Sequence, residues 1–288
     1  MSLAALSSAA IIALASTLIF VLIIKSWDAV LATLDRPGQF SHCIMQEAAQ
    51  RFRDEMQGLG REQSHYLVAA AVCLLAFLIA YVLPSGLIFG ELPEWQLLVA
   101  LLLFASAILY ATVRLAQLVR QRQRLAFVMS ANMATGHSLQ KLTTNQNRVF
   151  HDVQCGSQIV DNVVVGLHGI YAVNVIALPP GKDQRVRLRG DELSFASGQD
   201  AISLAGFGNT ARKLAKELGR MVNHEVRVRS VIAVPGWEVE SQRSDDHLVV
   251  NERNLAMLTG WKDDKDFLMT EDVVKIHEIL TERCSHKR

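Results

Sequence analysis

Basic side chains recur in the C-terminal half of the chain at spacings suited to binding phosphate groups. Arg185, Arg187 and Arg189 alternate with apolar residues, so an extended strand displays all three guanidinium groups on one face. Lys213 and Lys216, followed by an arginine four residues later, share one face of a helix. The five residues Arg185, Arg187, Arg189, Lys213 and Lys216 are therefore candidates for nucleic-acid binding.

These stripes have a second interpretation, because a charged stripe opposite an apolar one is also typical of any solvated amphipathic element. The net charge of the chain is only +1. No global electrostatic field therefore favours nucleic acid or anionic lipid, and a phosphate-binding surface must be local.

Other common signatures of chemistry are missing from the sequence. It contains no GxSxG, P-loop or HExxH motif, which are the commonest local signatures of hydrolases, nucleotide triphosphatases and zinc proteases. The four cysteines form no CxxC pair and have no histidine at metal-ligand spacing. This pattern disfavours a zinc site or a disulfide framework and is typical of a reducing cytoplasm.

The N-terminal part contains three uncharged apolar runs, each predicted to be a transmembrane helix. They lie at about residues 3–24, 66–89 and 93–113, within a predicted membrane domain of residues 1–129. None of the runs contains an ionisable group at membrane depth, so anchoring is favoured over transport. No basic residue precedes the first run, which argues against a cleaved signal peptide.

Basic residues near the ends of the runs predict the orientation. They lie between the first and second runs and after the third, whereas residues 84–95 contain only Glu91 and Glu94 as charged groups. The positive-inside rule therefore places the N-terminus outside and the C-terminal domain in the cytoplasm, with the chain in the inner (plasma) membrane.

The small residues of the first run and the apolar spacing of residues 41–59 each have two interpretations. Small residues recur every four positions in the first run, from Ala5 to Thr17, and would allow close helix packing either within the chain or in a homo-oligomer. Residues 41–59 have helical apolar spacing ended by Gly58 and Gly60. They predict an amphipathic helix that lies on the membrane surface or packs against the soluble domain.

After residue 129 the pattern changes to that of an α/β domain, residues 130–288. Three short β-rich runs predict a meander of strands, and a two-stranded ribbon follows at 185–195. A helix at about 203–220, a buried strand at 226–234 and two helices starting near Asn251 and Thr270 complete the prediction.

The run GSQIVDNVVVGLHGIYAVNVIALPPGK, residues 156–182, resembles the NERD (nuclease-related) domain. That family has a Gly-Gln-Ile-Asp-His strand, a Gly-Ile/Val-Phe turn and a Glu-x-Lys pair in the next strand. The resemblance implies the restriction-endonuclease-like PD-(D/E)xK fold, a mixed sheet flanked by helices. It extends over residues 136–260 and includes the helix with Lys213 and Lys216.

The resemblance implies a degenerate catalytic centre. Asp161 matches the family's metal-binding aspartate, but Asn174 stands at the glutamate position and Ile176 at the lysine position. A further glutamate of the family would fall near His137. Without a second carboxylate to hold Mg²⁺, hydrolysis of a phosphodiester loses its metal, so we expect no catalytic residues and no cofactor. Asp161 then resembles a strand-end residue that caps a turn.

Three functions remain open from the sequence. The first is a membrane-anchored pseudo-nuclease that serves as a binding or scaffold module for nucleic acid or a protein partner. The second is a Mg²⁺-dependent nuclease whose ligands have migrated to Asp183, Asp191 and Glu192, although acids that flank a turn are more often solvated. The third is a docking subunit of a membrane complex, which binds a membrane or cytoplasmic protein.

Overall fold

Three long helices occupy the N-terminal part of the computed structural model, which describes residues 3–34, 46–82, 94–143, 147–179, 181, 183–196, 198, 200–241, 246–260 and 267–284. They are α1 (Leu3–Leu34), α2 (Gln50–Val82) and α3 (Glu94–Gln140). Each is long and apolar enough to cross a membrane.

The helices extend beyond the predicted runs, and the prediction that Gly58 and Gly60 end a separate loop helix is wrong. Helix α2 runs without a break through both glycines. A glycine inside a helix costs only about 1 kcal/mol, and a helix that continues through it avoids the cost of a second nucleation. The predicted helix start at residue 41 lies outside the described residues.

The chain divides into two compact units, and their boundary differs from the predicted one. The first unit comprises residues 1–37 and 55–124, and the second comprises 38–54 and 125–288. The prediction placed the boundary after residue 129 and assigned the whole loop to the membrane domain. The structure instead groups residues 46–54 with the α/β unit, because their contacts are made there.

Within the first unit, the small residues of α1 pack against the same chain. Ala9 and Ala13 of the predicted stripe are fully buried. Phe77 of α2 stacks on Phe104 of α3, with ring centroids 5.3 Å apart. The burial of Ala9 and Ala13 agrees with packing of this part of the stripe within the chain.

A five-stranded mixed sheet forms the centre of the second unit. Its order is β1-β2-β3-β7-β9, with β1 to β3 antiparallel and β7 and β9 parallel to β3. The turns at Gly156 and Gly169 have positive φ angles of 58° and 131°, which glycine adopts without strain. The strands are β1 (Arg148–Cys155), β2 (Gln158–Gly166), β3 (Gly169–Val175), β7 (Val228–Ala233) and β9 (His247–Val250).

A second, four-stranded sheet contains the predicted ribbon. Its order is β6-β5-β4-β8. The ribbon turns at Gly190, but two strands that the sequence analysis did not predict extend it on either side. The strands are β4 (Arg185–Arg189), β5 (Glu192–Phe195), β6 (Ile202–Ser203) and β8 (Glu238–Ser241).

Three further helices complete the α/β unit: α4 (Ala205–Val222), α5 (Met257–Gly260) and α6 (Thr270–Cys284). Leucines of α4 and α6 pack on β1 to β3 in one apolar cluster. Leu139 of α3 belongs to a second cluster with β3, β7 and β9, and Trp237 to a third that joins the two sheets. The prediction of a mixed sheet flanked by helices is confirmed.

Candidate functional site

Asp161 lies on β2 with its carboxylate already engaged by the protein. Its Oδ2 accepts a hydrogen bond from the backbone N–H of Val175, at 2.8 Å, and its Oδ1 accepts one from Nη2 of Arg51, at 3.1 Å. The side chain is 13% exposed. Burial raises the pKa of Asp161, while the Val175 N–H and the Arg51 guanidinium act in the opposite direction.

Arg51 joins Asp161 to a second carboxylate, Asp152. The backbone N–H of Arg51 donates to Oδ2 of Asp152 at 3.2 Å. Asp152 lies on β1 with a positive φ of 51°, and burial raises the pKa of its carboxyl group. We call Arg51, Asp152 and Asp161 together the Asp161 site.

Packing of residues 46–54 against α3 supports this arrangement. A Cβ atom at Gly136 would overlap the Cβ of Ala48 and would lie 3.5 Å from Cε1 of His151. The backbone N–H of Gln46 also donates to the carbonyl of Cys284, at 3.2 Å. The segment that carries Arg51 is therefore held by packing and by backbone contacts on both of its sides.

Neither Arg51 nor Asp152 was predicted to belong to a functional site. Their partners lie about 100 residues away in sequence. No periodicity or local motif records a contact over such a separation, so the sequence offered no signal for it.

Asn174 and Ile176 occupy structural positions. Asn174 is 3% exposed on β3, and its Nδ2 has no hydrogen-bond partner in the described part of the chain. Ile176 is 9% exposed and packs in the apolar cluster with Ile232 and Trp237. A lysine at residue 176 would bury its ammonium group in that cluster.

This donor set does not fit Mg²⁺. A hard divalent cation requires several oxygen ligands, whereas the carboxylate of Asp161 already faces a guanidinium and an amide. Among the described residues, no group of three or more His, Cys, Asp or Glu side chains is arranged to hold a metal ion.

The three acids suggested as migrated ligands are either exposed or in contact with other side chains. Asp183 forms an ion pair with Arg185, at 2.6 Å. Asp191 is 58% exposed and lies 3.7 Å from Nε2 of His247, and Glu192 is exposed on β5. The structure does not bring these acids together around Asp161.

The three arginines of β4 are exposed on one face, as their alternation indicates. Two of them are neutralised locally, because Glu240 binds both Arg185 and Arg187 and Asp183 also binds Arg185. With Arg189 they line a cavity of about 270 Å³. The lysines of α4 do not contribute to this cavity.

A larger cleft lies beside α4, and we call it the α4 cleft. Its volume is about 1130 Å³, and it is bounded by α4, by the turn after that helix and by the first residues of β7 and β9. Lys216 lines it, whereas Lys213 does not. Among the described residues, its cationic side chains are those of Arg212, Lys216, Arg220, Arg227 and Arg229.

Small residues form the wall of the α4 cleft. A Cβ at Gly208 would lie 3.1 Å from Cε1 of His247, and one at Gly219 would lie 2.8 Å from the carbonyl oxygen of His224. Glycine at these two positions therefore lets β9 and the turn approach α4 closely. The buried His247, whose Nδ1 lies 3.0 Å from Oγ of Ser230, also lines the cleft.

The structure thus separates the predicted site residues into three places. Asp161, Asn174 and Ile176 lie at or next to the Asp161 site, the β4 arginines line one cavity, and Lys216 lines the α4 cleft. Arg212, Arg227 and Arg229 are the cleft cations that the sequence analysis did not single out. No family model, curated protein or solved structure matches this chain.

Proposed function

We propose that this chain is a membrane-anchored, nuclease-related domain that acts by binding rather than by hydrolysis, as a scaffold for nucleic acid or a protein partner. The observation that carries the proposal is the ion pair between Asp161 and Arg51. An arginine guanidinium holds the carboxylate that would otherwise bind the catalytic metal, and a metal ion would have to displace it.

The architecture supports the nuclease-related assignment. A mixed sheet flanked by helices is what the resemblance to the NERD domain implies, and Asp161 and Asn174 lie on adjacent strands of that sheet. Function does not follow from a fold alone, because one fold serves many chemistries. The proposal therefore favours binding over hydrolysis because Asp161 is paired with Arg51.

The three apolar helices would serve as the anchor in the inner (plasma) membrane. The positive-inside rule then places the N-terminus outside and the α/β domain in the cytoplasm. Fusion of a fluorescent protein to the C-terminus should give fluorescent cells, and fusion of alkaline phosphatase should give no activity. The reverse pair of results would contradict this orientation.

A cleavage assay tests the proposal for the site. We expect the purified full-length protein to leave plasmid DNA and a structured RNA intact with either Mg²⁺ or Mn²⁺. The variant Asp161→Asn should behave like the wild type, because the carboxylate has a structural partner and no metal to hold.

Substitutions of the acidic residues distinguish the proposed binding function from the alternative, a metal-dependent nuclease. Cleavage by the wild type that Asp161→Asn abolishes would overturn the proposal in favour of a metal site at Asp161. Cleavage that survives Asp161→Asn but is lost in Asp183→Asn or Glu192→Gln would favour migrated ligands.

A further inference from the structure

The α4 cleft differs from the rest of the molecule in its charge. Among the described residues that line it, five are cationic and two are acidic, whereas the whole chain carries a net charge of +1. Within the described part of the chain, Arg212, Lys216 and Arg220 form no ion pair. Cationic side chains therefore outnumber acidic ones along this concave surface.

Three of these cations form a row along α4. Arg212, Lys216 and Arg220 are exposed and are spaced four residues apart, so their Cα atoms lie about 6 Å apart along the helix axis. A row of regularly spaced cations matches a ligand whose negative charges also repeat. Arg227 and Arg229 face this row from β7 and the turn before it.

The shape of the cleft also favours an extended ligand. Its volume of about 1130 Å³ exceeds the roughly 300–1,000 Å³ of pockets that enclose drug-sized molecules. The wall made of Gly208, Ala211, Ala215 and Gly219 carries no long side chain that would divide the cleft. A polymer can therefore lie along the helix in contact with the whole row.

We propose that the α4 cleft binds the phosphodiester backbone of a nucleic acid, without preference for sequence. Arginine suits this role because its planar guanidinium binds two phosphate oxygens at once. This inference rests on the proposed binding function and names its ligand. It places the ligand beside α4 and not at Asp161 or at the β4 arginines.

The test is a fluorescence-anisotropy titration of the full-length protein, in nanodiscs of zwitterionic lipid, with a labelled 20-nucleotide oligothymidine. EDTA is present throughout, so that nuclease activity has no effect on the outcome. We expect binding at low salt that weakens linearly in log K against log salt. Arg212→Ala/Lys216→Ala/Arg220→Ala should weaken binding at least tenfold and reduce the salt slope by about two units, at about 0.7 unit for each phosphate contact on a single strand.

The matched control is Arg185→Ala/Arg187→Ala/Arg189→Ala, which removes the same three positive charges from β4. We expect it to retain the wild-type slope, because Glu240 and Asp183 already neutralise two of the three arginines. Equal losses in the two triple variants would overturn the assignment to the α4 cleft. Unchanged far-ultraviolet circular dichroism would show that both variants are folded.

Two other ligands distinguish the chemistry. Polyglutamate of similar charge should compete at least tenfold less well than the oligonucleotide, and vesicles with anionic phospholipid should not compete. Equal competition by polyglutamate would overturn the phosphodiester assignment in favour of an acidic protein partner, and competition by the vesicles would do so in favour of the membrane. Wild-type affinity no tighter than about 10⁻⁴ M at low salt would also overturn it, while the cleavage assay would still test the proposed function separately.

Discussion

The Asp161 site and the α4 cleft differ in whether their charged side chains are paired within the protein. At the Asp161 site, a carboxylate that is 13% exposed receives its countercharge from Arg51, and the protein satisfies the group internally. Along α4, three exposed cations have no carboxylate partner in the described structure. Charged side chains that pair with each other can stabilise the fold. Exposed side chains of like charge without such partners can instead bind an anion from solution.

The largest effect should come from placing a lysine at residue 176, next to the Asp161 site. Ile176→Lys places an ammonium in the apolar cluster with Ile232 and Trp237, and we expect a loss of about 3–5 kcal/mol of stability for an uncompensated buried charge. Thermal unfolding in detergent, followed by tryptophan fluorescence, measures this loss.

Two variants serve as controls for Ile176→Lys. Ile176→Met, which conserves volume and polarity, should cost less than about 1.5 kcal/mol. Lys216→Ala, which removes a charge from the α4 cleft, should change stability by no more than about 0.5 kcal/mol. A stable Ile176→Lys variant would contradict the burial of residue 176 and the contrast between the two regions.

A smaller effect is expected where residues 46–54 pack against α3. In Gly136→Ala the new Cβ would overlap the Cβ of Ala48, and overpacking of this kind costs about 1–3 kcal/mol, against which the helix preference for alanine returns about 1 kcal/mol. Gly58→Ala is the matched control, because no atom lies within 4 Å of its Cβ position and alanine favours the helix by about 1 kcal/mol.

The two glycine substitutions should therefore have opposite signs. Apparent melting temperatures in the same detergent measure both. If Gly136→Ala raised the melting temperature as much as Gly58→Ala, residues 46–54 would not pack against α3, and the Asp161 site would lose its support.

The smallest effect concerns the ion pair itself. Arg51→Ala leaves the carboxylate of Asp161 with only the Val175 N–H, and we expect a loss of about 1–2 kcal/mol, moderated because Arg51 is 35% exposed. Arg53→Ala removes only an exposed pair with Glu47, so its effect should stay within about 1 kcal/mol.

A double-mutant cycle isolates the contact. Arg51→Ala combined with Asp161→Asn should be less destabilising than the sum of the single variants, because the partner left behind no longer carries a charge. Additivity within about 0.5 kcal/mol would show that Arg51 and Asp161 do not interact.

Much of the fold was predictable because its signals are local. Uncharged runs of about 20 residues predicted α1 to α3, and alternating apolar residues around Gly156 and Gly169 predicted the meander β1 to β3. Strand β8 was missed because Pro235 and Gly236 ended the preceding pattern and left only a four-residue strand after the turn. Helix α2 was cut at Gly58 because propensity rules do not include the stabilisation supplied by the apolar half of the same helix.

For the candidate binding surfaces, the sequence predicted individual basic side chains but not how they are paired or grouped. The alternation of Arg185, Arg187 and Arg189 and the helical spacing of Lys213 and Lys216 indicated which side chains face solvent. These rules do not show which exposed cations already have a carboxylate partner. Glu240, which binds both Arg185 and Arg187, lies on β8, a strand that joins β4 only in the tertiary structure.

Composition, periodicity and local runs of residues were enough to predict three apolar helices and an α/β domain and to single out Asp161, Asn174 and Ile176. The contact of Arg51 with Asp161, and the cleft that Arg212, Lys216 and Arg220 share with Arg227 and Arg229, are seen only in the folded chain. The physical reason is that ion pairing and cleft formation depend on distances in space. Those distances are set by how strands and helices pack, and residues 51 and 161 become neighbours only when residues 46–54 fold onto the sheet.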